Sequence, residues 1–324
     1  MSRPGSSPDE KGVSQNGDPG GQCPLFTNTL NAPVSPETRL LSAFARDTQA
    51  RKVDLAGREY YSEEGKPFEL RLVGKIKQQL STDPTLHPEY PSSLGLREFT
   101  RKATEVALGK HSRAIVENQV LGVQTPGFTA AVRLGAELLR CWYDLSADWC
   151  GPVYLSSPCD DSLAGIFQAA GIQEIREAVG HLLCVLKQNS VLLPVQSQAD
   201  KIVRSLWARP SVGGAHVVTT VLSNSAHLVE WQGEVKHIVE RCMLIRAILR
   251  EKLRLLGTPG RWDHLTQQGG LFCCIGLNGE QVEFLSNRRR VYLLPGGCLN
   301  VSAINCRNLD YIAESIHLAL TSSL

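Results

Sequence analysis

The residues best placed to do chemistry are Thr125-Pro126-Gly127-Phe128-Thr129, set between the apolar run VLGV and a stretch with Ala, Val and Leu on one helical face. Together, residues 120–136 read as strand, sharp turn and helix. The first amides of a helix have no intrahelical acceptor, so such a turn offers N–H groups to an anion. The same unit is a common α/β building block that carries no ligand. What the rest of the chain supplies decides between the two.

Ten cysteines are scattered through the sequence: 23, 141, 150, 159, 184, 242, 273, 274, 298 and 306. No pair has C-x-x-C spacing, so zinc ligation is not expected. In a chain of this size they are expected to be reduced, several of them as small core residues. The eleven lysines stand at 11, 52, 66, 75, 77, 102, 110, 187, 201, 236 and 252.

Composition narrows the setting. At 42% hydrophobic and 20% charged residues, with a formal net charge of +2, the 324-residue chain is of ordinary globular type and long enough for two domains. Arg288-Arg289-Arg290 is its densest basic run, with no interleaved aromatics, so no nucleic-acid partner is expected. No apolar run reaches membrane-spanning length, and the first residues lack a charged-then-apolar signal pattern, so the expected location is cytoplasmic.

The elements that must position the turn follow from periodicity. Residues 1–36 are rich in Gly, Pro, Ser and Asp and read as a disordered leader. Helices are expected at 37–45, 70–80, 94–108, 132–143 and 161–170, with strands at 52–56, 120–124 and 151–157. This alternation predicts a mostly parallel sheet with helices on its faces. A further strand is expected at 179–186, and helices at 191–207, 213–222 and 229–256. The last carries Val235, Val239, Cys242, Ile245, Leu249, Leu253 and Leu256 on one stripe. From residue 269 the strand-like runs LFCCIGL, VYLLP and LNVSAI alternate with helices at 279–287 and 308–320, an α+β cap. The strands at 120–124, 151–157 and 179–186 are few for an open parallel sheet.

Several collinear blocks resemble the cytosolic aspartate aminotransferase family, of pyridoxal-phosphate fold type I, and in particular its divergent cytosolic paralogue. They are HPEYPSSLGLREF (87–99), VLGVQTPGFTAAVRLGAELL (120–139), GPVYLSSP (151–158), AAGIQEIR (169–176), KIVRSLW (201–207), LLGTPGRWDHLTQQGGLF (255–272), QVEFL (281–285), VYLLPGGCLNVS (291–302) and NLDYIAESIH (308–317). The resemblance covers roughly residue 51 to the C-terminus. It implies a truncated, mostly parallel three-layer large domain over 62–224, and an α+β small domain over 37–61 and 225–324. It also implies a dimer, either of two copies or with a related aminotransferase. About a hundred family residues are missing near 176–179, a domain-sized piece. That piece holds the Ser-x-x-Lys-Asn lysine that forms the Schiff base, and the aspartate that pairs with the pyridine nitrogen.

By the same resemblance, Gly127 and Thr129 belong to the cofactor-phosphate turn, where Phe128 replaces a glycine and is expected to crowd the site. Tyr90 matches the tyrosine that reaches the neighbouring subunit's phosphate. Arg204 matches the arginine for the substrate's side-chain carboxylate, and a guanidinium fork suits that group. Cys298 stands where the family has the arginine for the α-carboxylate. Asp160 replaces an aromatic that stacks on the cofactor ring, Arg58 takes a glycine position, and Lys187 lacks the Schiff-base context. The family reaction converts L-aspartate and 2-oxoglutarate to oxaloacetate and L-glutamate with pyridoxal phosphate. This chain, lacking the lysine segment, is expected to be inactive.

Overall fold

The computed structural model describes residues 34–86, 90–143, 153–155, 162–172, 175–177 and 189–322. Residues 1–33 of the expected leader and the strand at 179–186 lie outside the described residues, as do Asp160 and Lys187; the end of the leader is corrected, since Ser35 caps the first helix and Pro36 opens it.

Local signals set most element ends. Helix α1 (Pro36–Arg46) has proline in its first turn, and the Ser35 hydroxyl accepts from Thr38 N at 3.1 Å. The Lys52 ammonium closes its other end by donating to Phe44 O (2.9 Å) and Asp47 O (2.8 Å). Strand β1 (Val53–Asp54) and helix α2 (Arg71–Ser81) follow, and α2 buries Leu72 and Ile76 four residues apart. Helix α3 (Arg97–Leu108) starts three residues later than its apolar pattern suggests, and α4 (Arg113–Val116) is a single turn with too few residues to show a period. Then come α5 (Phe128–Tyr143), β2 (Val153–Leu155), α6 (Ser162–Ala169) and β3 (Ile175–Glu177). Helices α7 (Leu192–Leu206), α8 (Gly213–Ser223) and α9 (Ser225–Leu255) run almost without interruption, Asn224 capping α9 by accepting from Ala226 N and His227 N. The C-terminal elements are α10 (His264–Gln267), β4 (Phe272–Cys274), α11 (Gly279–Arg289), β5 (Val291–Tyr292), β6 (Cys298–Asn300) and α12 (Leu309–Thr321). Asn278 and Gln281 form a capping box at the start of α11.

The strands pair two by two. β1 lies parallel to β5 (Val53 against Val291), β2 parallel to β3 (Val153 against Ile175), and β4 antiparallel to β6 (Cys273 against Leu299). The parallel tendency expected from the sequence is present, and no sheet exceeds two strands among the described residues. The expected strand at 120–124 is corrected: only Val120 is bridged, and residues 121–124 form no strand. An apolar run becomes a strand only when a neighbour accepts its ladder bonds, and Gln124 N instead donates to Leu94 O at 3.0 Å. The stripe on α9 is corrected too. Cys242, Ile245, Leu249 and Leu253 are buried, whereas Val239, which precedes that stretch, and Leu256, past the last residue of the helix, are exposed.

Among the described residues that core is the one extensive apolar cluster. Leu55 beside β1 joins Leu249 and Leu253 of α9, Leu285, Leu293 and Leu299, and Ile312 and Ile316 of α12. Burial of this apolar area is the main stabilising term. Arg246, 1% exposed, reaches inward from α9 and donates to the carbonyls of Gly269, Gly270 and Phe272. Elsewhere among the described residues the apolar contacts fall into three smaller clusters, centred on Leu134 with Val203, on Phe167 with Ala136, and on Ile76 with Val221.

Two tyrosines on the rim of the main core report its integrity. Burial, then the Glu59 carboxylate beside its hydroxyl, pushes Tyr61 up to about 12. Burial, then the Asp47 carboxylate that its hydroxyl meets at 2.8 Å, raises Tyr292. A phenol held above its unfolded value of 10.0 contributes stability that is complete below that pH and is lost as pH rises through the folded value. In an ultraviolet absorbance titration Tyr61 is expected to ionise last and together with alkaline unfolding, and Tyr61→Phe should remove that last step. A single transition near the free-phenol value would show the rim to be open.

Candidate functional site

Three places carry the residues singled out by sequence. The first is the turn before α5. The side chain of Gln124, 5% exposed, accepts from Leu96 N (3.0 Å) and donates to Ser211 O (2.6 Å), which fixes the entry to the turn against two loops. Thr125 Oγ1 donates to Gly127 O at 3.0 Å, and Gly127 takes φ +98, a left-handed conformation that disfavours any side chain. The helix opens at Phe128, whose ring is 68% exposed, with Thr129 also exposed. The first amides of α5 therefore face an open surface, and the ring expected to crowd the turn is left largely to solvent.

The second place is a cavity of about 670 Å³ lined by Ser93, Leu94, Leu193, Asp200, Arg204 and Arg209, among others. Asp200 organises it. One of its oxygens accepts from the Ser93 hydroxyl, and the other pairs with Arg204 Nη2 at 2.9 Å. Arg204 is thus partly neutralised by a carboxylate one turn earlier on the same helix. Tyr90, 86% exposed, stands near this cavity through Arg209, whose guanidinium lies 5.3 Å from its ring centroid. Gly127 and Thr129 do not line the cavity. Arg204 and Tyr90 share one neighbourhood, and the turn residues stand outside it. Asp200 was missed from sequence, although its i, i+4 spacing to Arg204 on a helical stretch was the available signal.

The third place is Cys298. It is not a free thiol: Cys274 and Cys298 form a disulfide across β4–β6, with Cα atoms 4.1 Å apart. This corrects the expectation of reduced cysteines. The pair is separated by 24 residues, and only the antiparallel register brings the two together. Cys141, Cys242, Cys273 and Cys306 are free. Arg58 makes a two-point ion pair with Glu37, at 2.9 and 2.8 Å.

Covalent attachment of a pyridoxal cofactor requires a lysine amine at the site. No lysine lines the cavity or is buried among the described residues. Lys52 is engaged at the end of α1, while Lys75, Lys77, Lys102, Lys236 and Lys252 pair with carboxylates. The described residues do not fit the group. Among them, too, no cluster of His, Cys, Asp and Glu is arranged to hold a metal ion, and no helix is long and apolar enough to cross a membrane.

The sequence pattern of the family described as "Aminotransferase class I and II" matches residues 169–316. The chain is 30% identical over 405 residues to "Aspartate aminotransferase, cytoplasmic" of Gallus gallus, with 92% of this chain and 98% of that protein covered. It is also 30% identical over 398 residues to the Homo sapiens paralogue designated cytoplasmic 2, with 92% and 94% covered. The Gallus comparison spans 405 positions, and 92% of a 324-residue chain takes part, so about a hundred positions have no counterpart here. Among solved structures, an aspartate aminotransferase from Saccharomyces cerevisiae cytoplasm superposes with a TM-score of 0.80 at 22% identity, over 91% of this chain and 98% of that one. An aromatic-amino-acid aminotransferase from Burkholderia pseudomallei, solved covalently bound to pyridoxal phosphate, superposes with a TM-score of 0.81 at 20% identity, over 92% and 100%. From sequence identity sustained along nearly its whole length, the chain belongs to the aspartate aminotransferase family, within the class I and II aminotransferases, and its α/β architecture is the fold type I of those enzymes with a truncated sheet.

Proposed function

We propose that this chain is a catalytically silent aspartate aminotransferase-type subunit that acts in the cytoplasm by pairing with a second aminotransferase chain. The observation that carries the reading is the lack of a lysine at either the α5 turn or the Arg204 cavity among the described residues. Cys298, at the position that family resemblance gives to the α-carboxylate arginine, supports the same reading, since a sulfur committed to a disulfide cannot form an ion pair. Arg204 and Tyr90 are retained and solvent-accessible, so the side expected to face a partner's site keeps its cation and its phenol.

Pairing is tested by co-expressing the chain with a full-length cytoplasmic aspartate aminotransferase and weighing the separated assemblies by native mass spectrometry. A mixed dimer is the expected species. Recovery of only the enzyme's own dimer and free chain would overturn the reading. A second reading, an isoform fragment without a stable fold, is favoured by the division of the remaining apolar contacts into three small clusters and by exposed Phe128, Leu193 and Leu206. A non-cooperative melt of the purified chain would decide for it.

A further inference from the structure

We propose that Cys274 and Cys298 form a reversible redox site, a dithiol–disulfide pair that locks and releases one end of the β4–β6 ladder. The inference stands independently of any pairing with an aminotransferase subunit. Both cysteines are half-buried, whereas the neighbouring Cys273 and Cys242 are 1% and 2% exposed. A thiol-exchange reagent therefore has access to the pair and not to the adjacent thiols. Burial also pushes the Cys273 and Cys242 thiols up, which leaves them protonated and poor nucleophiles.

The backbone around the pair is held in place without the sulfur bond. Gln268 accepts from Cys274 N (2.8 Å) and donates to Cys274 O (2.9 Å), while Leu294 N donates to Cys298 O (2.9 Å). Reduction thus leaves the two thiols facing each other, ready to re-form the bond. The ladder has three register pairs, and Cys274–Cys298 is the terminal one before the chain departs through Ile275 N to Gly297 O. What the bond adds is closure of that end and of the 24-residue span containing α11 and β5.

The exchange balances with a small-molecule disulfide such as oxidised glutathione. One cysteine thiolate attacks a glutathione sulfur and expels one glutathione thiolate. The second cysteine then attacks the mixed disulfide and expels the other. Two protein thiols are oxidised, and one disulfide is reduced to two thiols. A pair of this accessibility in a reducing compartment is of the redox-responsive kind.

The test takes the purified full chain through glutathione buffers from fully reduced to fully oxidised, traps thiols with N-ethylmaleimide, and maps them by mass spectrometry. The expected result is joint loss of maleimide at Cys274 and Cys298, with a linked peptide joining them, and an unchanged Cys273 thiol after denaturation. Hydrogen exchange at the Ile275 and Leu294 amides should be about tenfold faster in the reduced form. Alkylation of both cysteines at every ratio, or a bond from either to another cysteine, would overturn the proposal. Cys298→Ser should make exchange at Ile275 insensitive to glutathione, and Cys306→Ser should leave the titration unchanged. Should Cys298→Ser fail to fold, the wild-type and Cys306→Ser titrations still decide.

Discussion

Purified chain given excess pyridoxal phosphate is expected to show no absorbance band of a lysine–pyridoxal imine and no oxaloacetate from L-aspartate and 2-oxoglutarate. Transamination needs an amine that bonds the cofactor and then carries the α-proton, and no binding energy elsewhere substitutes for it. Enzymes of this kind act at least about a millionfold above the uncatalysed reaction, so a chain without that amine should read at background in a dehydrogenase-coupled assay. Cys298→Arg should not restore activity, since an α-carboxylate clamp positions a substrate for a group that is missing. Turnover abolished by Lys187→Ala would sink the idea and transfer the amine's role to Lys187.

Much of the helical frame was legible because its signals are local. The i, i+4 apolar pairs mark α2 and α12, whereas the caps at Ser35-Pro36, read as leader, and at Asn278 with Gln281 went unread. Strands were less legible because they depend on neighbours. Residues 120–124 have a strand's composition, while Gln124 spends its amide on Leu94. β3 lies in Ile175–Glu177, where one apolar and two charged residues give no alternation. The site divides along the same line. Arg204 was read on a helix and lies on one, four residues from its partner Asp200, but the Ser93 contact that orients Asp200 spans 107 positions of sequence. The Cys274–Cys298 bond was illegible because spacing alone says nothing of antiparallel register. The length deficit was legible too: the collinear blocks leave about a hundred family positions without a counterpart, as the Gallus comparison also does.

Asn300→Ala is expected to destabilise the chain by about 3–5 kcal/mol, a cost set by polar groups that no longer have partners. Asn300 is fully buried at the end of β6, and its amide is satisfied on every side. Its Nδ2 donates to Gly57 O and Glu59 O, both at 2.7 Å, and its Oδ1 accepts from Ser302 N (3.0 Å) and Ser302 Oγ (2.7 Å). Ser302 Oγ in turn accepts from Tyr61 N at 3.1 Å, and Asn300 N donates to Leu55 O at 2.7 Å. One side chain thus ties residues 55–61 to the C-terminal elements, about 240 positions away in sequence. Alanine would leave two part-buried carbonyls and the buried Ser302 without these partners, lowering the melting temperature by about 10 °C. Asn300→Asp separates hydrogen bonding from shape. It keeps the acceptor for Ser302, loses both donors and places a carboxylate against two carbonyl oxygens. Its folded-state pKa should therefore lie above the free-carboxyl value, so its destabilisation should deepen as pH rises through that range, while Asn300→Ala remains flat. Thermal melts of both variants across pH provide the check. A shift of less than about 2 °C for Asn300→Ala would mean that residues 55–61 are held by β1–β5 pairing and apolar contact instead.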